Sequence, residues 1–225
     1  DEEVRAAAVF MLYRIYTPGA MVMIRETLGD KSAMVRTAAA RVLGLAKDQQ
    51  SVTKLMEMVQ TDKAAVRRQA ATALGQIGDQ QAIGALLKAA SNPDDRFVEH
   101  SIIYSLITLK SPEPLIQALT DTSATIRKAA LIALDQMDGS PLKKSQLVPF
   151  LNSNNKQLQQ TGIWVVLHHL DWPDIVVDFL KEHLDSKELT KEDEVALSNL
   201  MIKFSPDIQI QNFITAQLDN KNLAL

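Results

Sequence analysis

The sequence repeats itself at a nearly fixed interval. Aligning DEEVRAAAVFML, SAMVRTAAARVL, KAAVRRQAATAL, DRFVEHSIIYSL, SATIRKAALIAL and NKQLQQTGIWVV puts Val4, Val35, Val66, Val98, Ile126 and Leu158 in one column, spaced by 31, 31, 32, 28 and 32 residues. Such a period marks chains whose unit is a single supersecondary element. One unit cannot bury its own apolar face and is completed only by stacking on its neighbours. The contacts of such a chain therefore run from each repeat to the next.

Each column residue opens a helical pattern. In the third repeat Val66, Ala70, Leu74 and Ile77 fall at i, i+4, i+8 and i+11, one apolar stripe. Gly78 follows, where a helix ends most easily in a left-handed residue, and QQAIGALLKAA supplies a second amphipathic segment. Comparable companions are led by GAMVMIRETL, QQSVTKLMEMV, PEPLIQAL, KSQLVPFL and PDIVVDFLKEHL, and a degenerate pair lies in KEDEVALSNLMIKF and SPDIQIQNFITAQL. Eight glycines and eight prolines in 225 residues are too few for a turn-rich β-protein, and alanine clusters favour helix. The expected fold is all-α: an α-α superhelix, or α-solenoid, of about seven hairpins near 1–30, 31–61, 62–92, 93–120, 121–153, 154–187 and 188–225. These are read as one domain, and the opening DEEVR suggests a piece of a larger protein.

The pattern D-x-x-x-x-V-R-x-x-A-A-x-A-L, met with small changes at Asp30–Leu43 and Asp62–Leu74, resembles HEAT repeats. At about 31 residues it is similar to the short variety found in phycobilisome lyase proteins, not the form of about 40–47 residues. NPDDRFVEHSIIYSLI, IRKAALIALDQMDG and GIWVVLHHLDWPD resemble, over roughly residues 90–180, the HEAT segment of planctomycete-type multidomain proteins. In those proteins the segment lies between a membrane-bound or sugar dehydrogenase-like propeller and a c-type cytochrome. The resemblance implies an exported or periplasmic parent and names no catalytic residue. Without cysteine this chain holds no CxxCH haem site of its own.

Charge and motifs limit the chemistry. There are 14 basic against 12 acidic residues over 1–110 and 10 against 15 over 111–225, so neither half has the excess of a polyphosphate binder. Glu26, Glu57, Glu113, Asp174 and Asp178 intersperse the lysines of the companion helices, which argues against nucleic acid. No apolar run of about 18 residues is present, and no membrane insertion is expected. GxSxG, HExxH, GxGxxG and P-loop strings are absent, and no cofactor, metal or small-molecule substrate is expected. Arg5, Arg36, Arg67 and Arg127 recur as a ladder that a phosphate binder would use. Each follows an acidic or polar turn, as Asp30 precedes Arg36, Asp62 precedes Arg67 and Asp121 precedes Arg127, and structural bonds to that turn and to nearby carbonyls are expected instead. His168, His169, Asp171 and His183 suggest a metal, but adjacent helical residues point about 100° apart and cannot chelate as an i, i+4 pair does.

Two features remain. Asp95, Arg96, Glu99 and His100 form a polar cluster near Tyr104. Asp94 and Asp95 suit the positive end of a helix, and Glu99, standing where sister repeats carry arginine, is expected to pair with Arg96 three residues earlier. The second feature is apolar. The position six residues after each column residue points away from the stripe and holds Phe10, Arg41, Thr72, Tyr104, Ile132 and Trp164. Ile107 and Leu167, three residues further on, are expected to widen a strip that Asp135 interrupts. With helices packed about 8–10 Å apart it would run roughly 20 Å from Tyr104 to Trp164. Either this strip is an interface, with another domain of the parent, another protein or a second copy, or the chain's own helices cover it. The reading that follows is a non-enzymatic protein-interaction scaffold. The alternatives are an inter-domain spacer of a dehydrogenase and cytochrome protein, or a lyase-like or DNA-repair-like enzyme.

Overall fold

The computed structural model describes residues 1–184 and 190–219. Among the described residues there are fourteen α-helices, joined by turns of which three are short 3-10 segments, and no strand. The architecture is the all-α, hairpin-built solenoid class that the period implies. The expected boundary between the sixth and seventh repeats, at 187/188, lies outside the described residues.

The chain gathers into two compact units, Asp1–Pro141 and Leu142–Leu225. The first holds α1 (Glu2–Ile15), α2 (Pro18–Glu26), α3 (Ala33–Leu45), α4 (Val52–Thr61), α5 (Ala64–Ile77), α6 (Ile83–Ala90), α7 (Arg96–Thr108), α8 (Pro112–Ala118) and α9 (Ala124–Gln136). Here the odd-numbered helices stack each on the next to form one layer, and α4, α6 and α8 pack in sequence beside them. The second holds α10 (Lys144–Leu151), α11 (Lys156–Val166), α12 (Pro173–Leu184), α13 (Lys191–Phe204) and α14 (Ile208–Asp219). In it α10 packs on α11 and α12, and α12 on α13 and α14.

Local chemistry sets the helix ends. Asp95 caps α7 by accepting from Phe97 N and Val98 N at 2.8 and 2.9 Å, and Asn155 caps α11 through Leu158 N at 3.1 Å. Thr190 and Asp193 form a reciprocal capping box at the start of α13. Gly78 closes α5 at φ 84°, its N–H donating to Leu74 O, as expected of a glycine just past a helix. Tyr16, Lys47 and Lys110 adopt the same left-handed conformation in the matching turns, although each has a Cβ.

The core stripe of the third repeat is buried throughout: Val66, Ala70, Leu74 and Ile77 are all in the interior. Small residues let consecutive first helices approach closely. A Cβ on Gly44 would stand 2.7 Å from Ala73 Cα, and one on Gly75 would stand 3.1 Å from Ser105 Cα. Ser105 spends its buried hydroxyl on Ala71 O at 2.7 Å across that contact. In α3 and α5, therefore, the position nine after the column residue looks toward the following repeat. The position seven after it, in α5 and α7, looks back toward the preceding one. In the fourth repeat the nine-after position is Ile107, where the second and third repeats have glycine.

Candidate interaction surface

The arginine ladder joins repeats. Arg5 Nε and Nη2 donate to Asp30 at 2.7 and 2.9 Å, Arg36 Nε donates to Asp62 Oδ2 at 2.7 Å, and Arg67 Nη1 donates to Asp94 Oδ2 at 2.7 Å. Each carboxylate belongs to the turn that enters the next repeat. The expected bonds to the preceding turn and nearby carbonyls are present, but the carboxylate partner is not the acid of that turn. The preceding turn supplies carbonyls, such as Asp30 O to Arg36 Nη1 at 2.8 Å, and the acid comes from ahead. Arg127 departs from the ladder, and its buried Nε has no hydrogen-bond partner. The matching turn of the sixth repeat reads NSNN and offers no carboxylate.

These pairs also fix the electrostatics. The hydrogen bonds from Arg5, then from Ser32 N–H, hold the Asp30 carboxyl at about 2, well below the usual carboxylate range. Burial pushes Asp62 up, but the bonds from Arg36 and Lys63 N–H outweigh it and leave the carboxyl below its ordinary value. Asp174 is lowered by Lys144, and Asp138 by Lys110. Among the described residues, every displaced group is thus moved toward its charged form.

The polar cluster of the fourth repeat does not converge. Asp95 is occupied as a helix cap, and Arg96 lies over the Phe97 ring with 4.9 Å between guanidinium carbon and centroid. Glu99 turns to Lys128 of the next repeat, Nζ to Oε1 2.7 Å, so the expected Arg96–Glu99 pair is replaced by a bond between repeats. His100 is exposed. Of the other histidines, His168 stands edge-on to Trp164 at 4.4 Å, His169 stacks on Trp172 at 3.8 Å, and His183 Nδ1 hydrogen-bonds with Phe179 O at 2.9 Å. Among the described residues no three His, Cys, Asp or Glu side chains gather to hold a metal ion.

The six-after positions turn outward to differing degrees. Phe10, Arg41, Tyr104 and Trp164 are exposed, and Thr72 and Ile132 are half-buried. The expected strip draws on both units: Tyr104, Ile107 and Ile132 belong to the first, Trp164 and Leu167 to the second. Ile107 and Leu167 are half-buried. Asp135 does not interrupt an outer strip, because it is buried with Oδ2 accepting from Gln136 Nε2 at 2.6 Å. Its position is the nine-after one, which in α3 and α5 faces the following repeat.

In the first unit Tyr104 is 60% exposed and Phe97 is 53% exposed. Seven residues separate them on α7, two turns apart on one face. Sequence reasoning missed Phe97, although its spacing from Tyr104 was a usable signal. The two aromatic rings, the Arg96 guanidinium over Phe97 and the partly exposed Ile132 on α9 make an amphipathic surface with the composition typical of binding hot spots. A groove elsewhere in the first unit is lined by residues that include Asp30, Lys31, Arg36, Lys54, Glu57 and Asp62. Lys54 and Glu57 pair there at 2.8 Å, beside the Arg36–Asp62 bond.

A family model described as HEAT repeats matches residues 1–71 and 35–107. Among solved structures, the archaeal HEAT-like repeats protein from Thermococcus onnurineus NA1 is similar with a TM-score of 0.51 at 12% identity, covering 90% of this chain and 92% of that one. YibA of E. coli is similar at 0.50 and 16% identity, covering 96% and 81%. The complex of CpcE and CpcF of phycocyanin lyase from Nostoc sp. PCC7120 aligns at 0.49 and 22% identity, covering 91% and 90%. No curated protein sequence matches the chain. The family match and the likenesses to the archaeal protein and to YibA place the fold among HEAT-like repeat proteins. Among the described residues no helix is long and apolar enough to cross a membrane.

Proposed function

We propose that this chain, a HEAT-like repeat protein, is a non-enzymatic scaffold that binds a protein partner through the outward face of α7 and its neighbour α9. HEAT-like repeats generally mediate protein interactions, and the observation that carries the reading here is the pair Phe97 and Tyr104, exposed two turns apart on one helix. Paired aromatics flanked by arginine are costly to leave in water and are frequent anchors at interfaces. The titratable groups support the same reading, since each displaced one is engaged in an ion pair or a cap.

The test is site-specific photocrosslinking with the crosslinker placed at position 104, in cells that make the whole protein. A discrete crosslinked product is expected at 104, absent when Phe97 is replaced by Glu. A crosslinker at Arg41, the same position two repeats earlier, is expected to give none. Equal products from both positions would sink the reading. In the finer form of the proposal the partner is another domain of an exported dehydrogenase and c-type cytochrome protein. That form rests on the resemblance of residues 90–180 and predicts a CxxCH motif downstream in the same reading frame.

A further inference from the structure

The first repeat presents to solvent a face that the later repeats bury. Seven residues after the column residue stand Val42, Ala73, Ser105, Ala133 and Val165, all fully buried, whereas the same position in the first repeat is Met11, 58% exposed. Four after the column residue, Ala39, Ala70, Ile102, Ala130 and Gly162 are buried, whereas Ala8 is exposed. Val4 is 65% exposed, although Val35, Val66 and Val98 in the same column lie in the core. Ile15 completes the set, so that Val4, Ala8, Met11 and Ile15 form one apolar stripe at i, i+4, i+7 and i+11 along α1. The opposite side of α1, through Ala6 and Val9, is already buried.

The stripe lacks the polar composition of a terminal cap. A repeat that ends a stack carries polar residues there, because that face meets water. Val4, Ala8, Met11 and Ile15 are the residue types of an interior repeat. Beside them an open groove of about 390 Å³ has an apolar side of Ala8, Leu12 and Met23 and a polar side that includes Arg5, Glu26 and Asp30. The Gly44–Ala73 and Gly75–Ser105 approaches show what fills this place elsewhere: the seven-after position of one repeat receives the nine-after position of the repeat before it. The occupant is thereby defined in chemistry and shape.

We infer that the exposed face of α1 and α2 is a docking site for one further helical hairpin of the same HEAT-like type. The hairpin lies against Val4, Ala8, Met11 and Ile15 with a small residue of its first helix over Met11. This site is separate from the α7 surface, so either can fail without the other.

The experiment extends the full chain by a copy of residues 31–62 joined ahead of Asp1. This preserves the 31-residue spacing between the copied Val35 and Val4 and supplies Asp62 as acceptor for the copied Arg36. Melting and sedimentation are measured for the original and extended chains, each with and without Met11→Asp. The original chain is expected to be monomeric and indifferent to Met11→Asp. The extended chain should melt about 4 °C or more higher, a gain that Met11→Asp abolishes. An extension that adds nothing overturns the proposal. So does a dimer of the original chain that Met11→Asp dissociates, since a second copy would then be the occupant, and so does a Met11→Asp change that destabilises both chains equally.

Discussion

Arg36 reaches out of the second repeat to Asp62, the residue that opens the third, with Nε 2.7 Å from Oδ2, while its Nη1 holds Asp30 O at the entrance to its own repeat. One guanidinium thereby ties two successive turns. Arg5 and Arg67 have corresponding carboxylate partners in Asp30 and Asp94, so the ladder fixes the register of four repeats in the first unit. A planar fork with five donors suits this task better than an ammonium.

Acid should loosen the ladder in a defined window. The Asp30 carboxyl titrates at about 2 in the fold, held down by Arg5 and Ser32 N–H, and at about 3.9 when unfolded. A depressed carboxylate contributes its stability fully above the unfolded value and loses it as pH falls through the folded one. Asp30→Asn is therefore expected to lower Tm above about pH 4 and to converge with the wild type near pH 2. Melting curves across that range decide it. A constant difference at all pH values would show that the carboxylate charge is not the stabilising element.

Arg67 is the buried member of the ladder, 5% exposed. Its Nε donates to Val59 O at 2.8 Å and Nη2 to Ala89 O and Asn92 O at 3.1 Å, so it joins the ends of α4 and α6 to the next turn. Arg67→Ala strands those carbonyls and should cost about 2–4 kcal/mol. Arg67→Lys keeps the charge but cannot span the same acceptors, and should recover less than half of the loss. Urea unfolding of the three proteins is the measurement.

Two glycine substitutions are expected to act in opposite directions. Gly44 lies where α3 meets α5, and an added Cβ would fall 2.7 Å from the backbone Ala73 Cα. The helices must separate to admit it, at a net cost of about 1–3 kcal/mol despite alanine's better helix propensity. Gly84 in α6 has nothing within 4 Å, and Gly84→Ala should stabilise by about 0.5–1 kcal/mol. If Gly44→Ala proved as favourable as Gly84→Ala, the close approach of α3 and α5 would be refuted.

What the sequence disclosed and what it hid follow from the range of the forces involved. The Val66, Ala70, Leu74 and Ile77 stripe and the Gly78 stop are local patterns, written within one helix and its turn. The partner of Glu99 is not local: Lys128 lies one repeat ahead, and a single sequence ranks Arg96 above it because Arg96 is near along the chain. Asp135 was misplaced for a similar reason, since angular position around one helix does not reveal which face the next helix covers. The clue lay in the sister repeats, where Gly44 and Gly75 occupy the same position and only a close neighbour calls for glycine. Alignment also treats all repeats as equal, so it could not show that the stripe through Val4 and Met11 stands in solvent.

The Glu99–Lys128 bond supplies a test of how the fourth repeat is joined to the fifth. Both side chains are largely covered, 22% and 18% exposed, with Nζ and Oε1 2.7 Å apart, so their attraction is screened less than that of a surface pair. Glu99→Gln and Lys128→Gln should each destabilise the protein, and the double variant should lose less than their sum, giving a coupling of about 1 kcal/mol. Arg96 projects over Phe97, and the cycle of Arg96→Ala with Glu99→Gln should be additive within about 0.3 kcal/mol. The contrast between the two cycles, measured by chemical denaturation, separates a bond between repeats from a local helical pair. A coupling to Arg96 as large as that to Lys128 would mean that Glu99 serves its own helix, and that the arginine ladder has no counterpart at this step.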